Sequence, residues 1–290
     1  MNPSRLQRTI RHPIVISGFG YWSGEDVRVE FRPAPVGAGI AFVRDDLGPA
    51  ARVPARCEYR IEIPRRTCLK KDMVQVDMVE HILAALAGMQ IDNCEVGVDQ
   101  CEMPGCDGSA KEFVAALETV GSVPQESEVK QLIVTDHFRL TEGDSWIEAH
   151  PSACGFYNVS FTLDYPQDDA IGYQQFQADV TPDNFFEDIA PSRTFILQRE
   201  ADELLKQGLC KRVDLNDLLI FGNRGLMNNK LRFPNECARH KALDVIGDLA
   251  LTGQEIVGNI SAYRSGHRLN AKFAQQLAAR FAEPLLKATA

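Results

Sequence analysis

Asp77-Met78-Val79-Glu80-His81-Ile82-Leu83-Ala84-Ala85-Leu86-Ala87-Gly88-Met89 is the stretch from which the fold can be read. Val79, Ile82, Leu83, Leu86 and Met89 recur at helical spacing, and Gly88 lies near the end of the run, so a helix is predicted. Cys94 to Val98 follows as a short apolar strand. A second stretch repeats the arrangement far downstream. Residues 235–251 place Ala238, Ala242, Val245, Ile246 and Leu249 on one helical stripe ended by Gly253, and residues 256–263 then read as a strand. Each of these helices carries a histidine near its start, His81 in one and His240 in the other.

Working outward, each half gives strands, then helix, strand and helix. Upstream, residues 14–16 form an apolar strand, and Val27, Val29 and Phe31 alternate with Arg28, Glu30 and Arg32 as in a half-buried strand. Between them, Gly18-Phe19-Gly20-Tyr21-Trp22-Ser23-Gly24 superficially resembles a dinucleotide fingerprint. Its third glycine comes one position late and a strand follows it, so it is read as a glycine-rich connection. Ser109-Ala110-Lys111-Glu112 has the form of a capping box opening a helix with Phe113, Leu117 and Val120 on one face. Residues 121–128 are polar and contain Pro124, and are expected to be a linker. Beyond them, strands are predicted at 132–140, 146–150, 157–164 and 173–178, a polar helix at 199–207, and a last helix bearing Phe273, Leu277 and Phe281. The repetition predicts an internal duplication: two α+β domains, 1–124 and 129–290, each a sheet covered by two helices.

The composition narrows the function. The chain has 290 residues, 44% hydrophobic and 24% charged, enough for one large domain or two moderate ones. Its net charge of -9 disfavours nucleic-acid binding, which usually needs a basic surface. No apolar run has the length of a membrane span. Residues 1–13 are polar and basic with no apolar centre, unlike a secretory signal. The eight cysteines are scattered without a Cys-x-x-Cys pair, so reduced thiols and a cytoplasmic location are expected. Asn158-Val159-Ser160 and Asn259-Ile260-Ser261 match the glycosylation pattern, which carries no weight there.

The two histidine helices also hold the chemistry. Two imidazoles and a carboxylate at helical spacing leave one tetrahedral position of a zinc ion open, as a hydrolytic site requires. His240, Asp244 and Asp248 are four apart and share a helix face opposite the apolar stripe. That face is either solvated or, since it carries Gly247, closely packed. Lys241 beside His240 suits an anionic substrate. Asp77 and Glu80 have capping-box spacing, yet a glutamate next to a metal-binding histidine can also accept a proton from water. His267, in Ser265-Gly266-His267, is a candidate cationic acid. Thr194 either caps a turn or donates to an oxyanion.

Taken together, several segments resemble the UDP-3-O-acyl-N-acetylglucosamine deacetylase family, zinc amidases of lipid A biosynthesis. They are Phe31-Arg-Pro-Ala-Pro35, Val79 to Gly88, Ile91-Asp-Asn93, Asp107-Gly-Ser-Ala110, Ser192-Arg-Thr-Phe195, Leu231-Arg-Phe-Pro234, Arg239 to Leu249 and Ser265-Gly-His267, in family order across nearly the whole chain. The resemblance implies two βααβ-type domains with the active site between them. It implies His81, His240 and Asp244 as zinc ligands and Glu80 as general base. Thr194 is implied on the oxyanion, and His267, oriented by Asp248, at the leaving amine. Lys241 would meet the diphosphate, Tyr165 the uracil, and Phe195 would open an insertion near 195–220 that shapes the acyl passage. The expected partner is an acylated UDP-N-acetylglucosamine and the expected state a monomer. A His₂-carboxylate set also suits Fe²⁺ in place of Zn²⁺.

The chain departs from the family pattern at Trp22, where the family has histidine, and at Ser145, Cys106 and residues 211–216. All lie where phosphate or acyl groups would be held. Two alternatives therefore stand: a paralogue acting on another N-acetyl sugar nucleotide, and a non-catalytic nucleotide-sugar binder.

Overall fold

A computed structural model describes residues 5–166 and 170–281; the first four residues of the polar segment 1–13 lie outside them. The chain opens with β1 (Leu6–Ile10), β2 (Ile14–Phe19), β3 (Asp26–Pro33), β4 (Ile40–Arg44) and β5 (Arg52–Pro54). A small three-stranded sheet follows, β6 (Arg60–Ile63), β7 (Arg66–Lys71) and β8 (Val74–Asp77). Then come α1 (Glu80–Gly88), β9 (Cys94–Val98), α2 (Lys111–Val120) and β10 (Ser122–Glu128). The second half contains β11 (Gln131–Ile133), β12 (Phe138–Glu142), β13 (Ser145–His150), β14 (Tyr157–Asp164) and β15 (Tyr173–Asp179). A helical turn α3 (Pro182–Asn184), β16 (Phe195–Leu197), α4 (Gln198–Lys206), β17 (Leu219–Gly222) and β18 (Gly225–Leu226) precede α5 (Glu236–Leu249), β19 (Glu255–Tyr263) and α6 (His267–Phe281).

The duplication extends to strand order and sense. The first main sheet runs β2-β3-β9-β4-β5 and the second β12-β13-β19-β14-β15, with β11 added on β19. In both, the central strand pairs antiparallel on one side and parallel on the other: β9 with β3 and β4, β19 with β13 and β14. The fold is α+β, two sheet-and-helix units in the same sequence of elements. Period-2 burial sets the strand faces. Val27, Val29 and Phe31 are buried along β3, and Val159, Phe161 and Leu163 along β14. Both inner faces share one continuous apolar cluster, running from Ile10 through Leu83 and Ile246 to Leu277.

Each unit is interrupted just before its histidine helix. In the first the interruption is β6-β7-β8; in the second it is β16-α4-β17-β18, whose β16 and β17 are parallel across the α4 crossover. The insertion expected near 195–220 is therefore a βαβ unit, and its last strand reaches Leu226. The segment expected as a linker is a strand instead: β10 pairs antiparallel with β1 from Leu6↔Glu128 to Ile10↔Ser122. Pro124 is tolerated because this two-stranded ribbon leaves an edge free of ladder bonds. The single strand expected at 132–140 is two, β11 and β12, lying on different neighbours. Gly18 to Gly24 is, as expected, the end of β2 and a turn.

Candidate metal and acid–base site

α1 and α5 pack against each other at Gly247. A Cβ there would lie 2.1 Å from the Glu80 carbonyl oxygen, so only glycine allows the approach. Burial on this side removes the distinction between apolar and polar faces of α5. His240 is 1% exposed, Asp244 2% and Asp248 0%. The solvated-face alternative is thus excluded for these three residues.

His81, from the first turn of α1, meets His240 and Asp244 from α5. Their ligand atoms all lie within 4.8 Å of one another. Asp244 Oδ1 is 3.7 Å from His81 Nε2 and 3.5 Å from His240 Nε2. A tetrahedral shell with bonds of about 2.1 Å has edges of about 3.4 Å, so this spacing suits an ion at the centre. Two further observations fit. Asp244 Oδ1 is buried with no hydrogen-bond partner, an orphan that costs free energy unless a cation meets it. His240 Nδ1 donates to the Ser192 carbonyl at 3.1 Å, which leaves Nε2 as the lone-pair nitrogen facing Asp244. Burial pushes the His240 pKa down to about 3, so the ring is neutral, as a ligand must be. Burial alone would raise Asp244, but the Lys241 ammonium and the protonated His267 outweigh it and hold the carboxyl well below its ordinary range.

The Ser192 carbonyl is itself fixed. Arg193 Nε donates to Glu236 Oε1 at 2.8 Å and its backbone N–H to the same oxygen at 3.1 Å. Glu236 is fully buried at the start of α5, where the helix dipole favours an anion.

Glu80 and His267 flank the cluster. Met78 has φ 59°, and α1 begins at Glu80 with Val79 at its cap. The expected capping box with Asp77 does not form, because Asp77 belongs to β8. Glu80 Oε2 instead accepts from the Thr67 backbone N–H at 3.0 Å. Burial raises the Glu80 pKa above its ordinary value. His267 Nδ1 donates to Asp248 Oδ2 at 2.9 Å, so its Nε2 faces Glu80 Oε1 and Asp244 Oδ2, each 3.9 Å away. Burial pulls the His267 pKa down, but the Asp248 and Asp244 carboxylates more than offset this and push it up to about 9. Asp248 also accepts from the Thr67 hydroxyl and from Asn270 Nδ2 at 2.9 Å.

Among the other expected residues, Lys241 Nζ donates to Asp244 Oδ2 at 2.9 Å and sits 5.6 Å from the Phe195 ring centroid. Phe195 lies 6.3 Å from the His240 ring and 6.4 Å from Tyr165, edge-on to both. Thr194 is held through its backbone, its N–H donating to Gly108 and its carbonyl accepting from Leu219, between two residues that touch His240. The Ser109–Glu112 capping box is replaced by an Asp107 turn, in which Asp107 accepts from the Ser109 N–H and hydroxyl. The departures lie off the cluster. Trp22 stacks under Arg66 and lines a cavity of about 700 Å³ with Ile63, Leu204 and Leu209. Arg212 bonds Asp26 at 2.6 Å, Ser145 bonds the Arg264 carbonyl, and Cys106 accepts through its carbonyl from the Tyr21 hydroxyl.

Thr67, Asn270 and the Ser192 carbonyl escaped the sequence reading. A threonine inside a short strand without alternation, an asparagine inside a helix and a main-chain oxygen carry no local signal.

A buried His₂-Asp cluster with a neighbouring glutamate and a protonated histidine, set between two duplicated sheet-and-helix units, defines a metal-dependent amidohydrolase. The comparisons make this particular. The family model described as UDP-3-O-acyl N-acetylglycosamine deacetylase matches residues 7–279. The chain is 37% identical over 279 residues to the UDP-3-O-acyl-N-acetylglucosamine deacetylase of Myxococcus xanthus, covering 96% of this chain and 88% of that one. It is 38% identical over 265 residues to the protein so named in an Anaeromyxobacter species (91% and 86% covered), and 35% over 278 residues to that of Shewanella violacea (95% and 90%). The chain belongs to the UDP-3-O-acyl N-acetylglycosamine deacetylase family.

Proposed function

We propose that this enzyme hydrolyses the acetamide of UDP-3-O-acyl-N-acetylglucosamine with Zn²⁺, releasing acetate and the free 2-amino sugar nucleotide for lipid A biosynthesis. The observation that carries the proposal is the orphaned Asp244 Oδ1 facing two histidine Nε2 atoms, with Glu80 and His267 alongside. His81, His240 and Asp244 hold the ion, which when bound activates a water and polarises the amide carbonyl.

The chain's own groups divide the remaining work. Glu80, anchored by the Thr67 N–H, takes the proton of the attacking water. Its raised pKa brings it closer to neutrality, where a general base works best. The Thr194 hydroxyl donates to the carbonyl oxygen as negative charge gathers there. His267, kept protonated by Asp248, gives its Nε2 proton to the departing amine. Water and amide thus become acetate and amine. Lys241 meets the diphosphate, and Tyr165 and Phe195 the uridine side. The cavity between Trp22, Ile63 and α4 receives the acyl chain.

The same reading places the chain in the cytoplasm as a monomer, with domains expected at 1–124 and 129–290, the first running on to Glu128 through β10, which pairs with β1. Its eight cysteines are unpaired, which suits a reducing compartment, and the metal cluster is complete within one chain. Among the described residues, no helix is long and apolar enough to cross a membrane.

Acetate release from the acylated and unacylated UDP-sugars, with and without chelator, tests the proposal. Chelator-sensitive turnover favouring the acylated substrate is expected. Preference for the unacylated sugar would point to the paralogue, and no turnover of either to a binding protein.

A further inference from the structure

His137 and His150 take no part in the site above, yet the second sheet brings them together. β12 and β13 pair with Phe138 opposite Ala149, so His137, one residue before β12, falls opposite His150 at the end of β13. Glu148 precedes His150 by two positions and shares its face of the strand. The two imidazoles stack with centroids 4.3 Å apart, and both Nε2 atoms turn to the same carboxylate. His137 Nε2 is 3.1 Å from Glu148 Oε2, and His150 Nε2 is 3.4 Å from Oε1. All the ligand atoms lie within 4.8 Å of one another.

We propose that His137, Glu148 and His150 form a second metal site, for a divalent transition-metal ion of the zinc type, on the β12–β13 edge. The donor set is two imidazoles and a carboxylate, as at the catalytic cluster, and suits zinc, copper or nickel over calcium or magnesium. His150 Nε2 lies 3.4 Å from Glu148 Oε1, close to the 3.5 and 3.7 Å at Asp244 Oδ1, while His137 Nε2 faces the other oxygen, Oε2, at 3.1 Å. The His150–Oε1 distance lies near the edge of about 3.4 Å expected for a tetrahedral shell, and the ligand atoms of all three residues are within reach of one ion. The hairpin register already holds the three side chains together, so little ordering remains to be done on binding.

The two sites differ in affinity. The His137 and His150 side chains are 52% and 45% exposed, so the ion enters from solvent and keeps water in its remaining positions. Arg139 places Nη1 3.3 Å from Glu148 Oε2, and its charge opposes a cation. Its guanidinium also rests 4.2 Å from the Trp146 ring centroid, on the strand face beside Glu148, so it stays in place while Oε1 serves the ion. The site therefore fills only after the buried catalytic cluster. β12 is the outer strand of its sheet, and the ion would tie that edge to β13.

The test titrates enzyme already carrying one catalytic equivalent with zinc ion alone, by calorimetry. Wild-type protein is expected to take up a second, weaker equivalent. The double variant His137→Gln/His150→Gln should lose it, with binding weakened at least about tenfold, while its turnover stays that of wild type. A wild-type chain that takes no second equivalent up to millimolar zinc overturns the proposal. So does a double variant that binds the second equivalent as tightly as wild type.

Discussion

Glu80 is 4% exposed and has no solvent shell to stabilise its charge, so the protein must supply that stabilisation or leave the carboxylate basic. Thr67 supplies part of it, serving both sides of the site: its N–H holds Glu80 and its hydroxyl holds Asp248. Glu80→Gln keeps the shape and removes the proposed base. Acetate release should fall by a factor of about 10²–10⁴ while metal content stays unchanged. Thr67→Val removes only the hydroxyl. The expected result is a lower kcat with KM nearly unchanged, and recovery in Thr67→Ser. Loss of both parameters in parallel with loss of metal would show that Thr67 supports folding alone. For His267 the sign is set by Asp248. In the proposed mechanism the imidazole acts protonated, and with its pKa pushed up to about 9 it stays protonated through neutral pH. Asp248→Asn removes the largest raising charge, so the pKa falls and protonation is lost earlier as pH rises. The alkaline limb of the kcat profile should therefore move to lower pH, and an unmoved limb would remove His267 from the acid role.

At the scale of elements, the helices were legible because periodicity is local. α1, α5 and α6 fall where the spacing of Val79, Ala242 and Phe273 with their neighbours puts them, and β14 has the expected bounds of 157–164. The short strands were not legible. β4 to β8 and β16 to β18 are too brief or too mixed for a two-residue period to stand out, and their pairing is decided by distant partners. Segment 121–128 reads as a linker by composition, but becomes β10 because β1 offers it a ladder. The α1–α5 contact depends on Gly247. Gly247→Ala would push a methyl into the Glu80 carbonyl. The helices must separate or bend, at a cost of about 1–3 kcal/mol. A lowered Tm is expected together with lost activity, since the shifted residues are Glu80 and His81. An unaltered Tm would mean that the helices sit farther apart than described.

At the scale of the whole molecule, one apolar cluster joins the two units and one metal cluster draws ligands from both. Unfolding should accordingly be a single cooperative transition, with calorimetric and van't Hoff enthalpies agreeing; two separate transitions would show that the units fold independently. Removing the metal leaves Asp244 Oδ1 and two histidines facing one another unpartnered. Chelation should lower Tm and abolish acetate release, and one equivalent of Zn²⁺ should restore both, since a ligand bound only by the native state stabilises it by mass action. The donor set, the helices that bear it and the repeated order of elements follow from residue type and helical spacing, which are local properties of the chain. The sequence also carried the family resemblance, through motifs spread in order along the chain. Which face of α5 is buried, where the Ser192 carbonyl points, and that Thr67 and Asp248, 181 positions apart, share a hydrogen bond are settled by packing between distant segments. Such contacts form between segments that meet only after the two sheets have closed on α1 and α5, and no spacing along the chain encodes them.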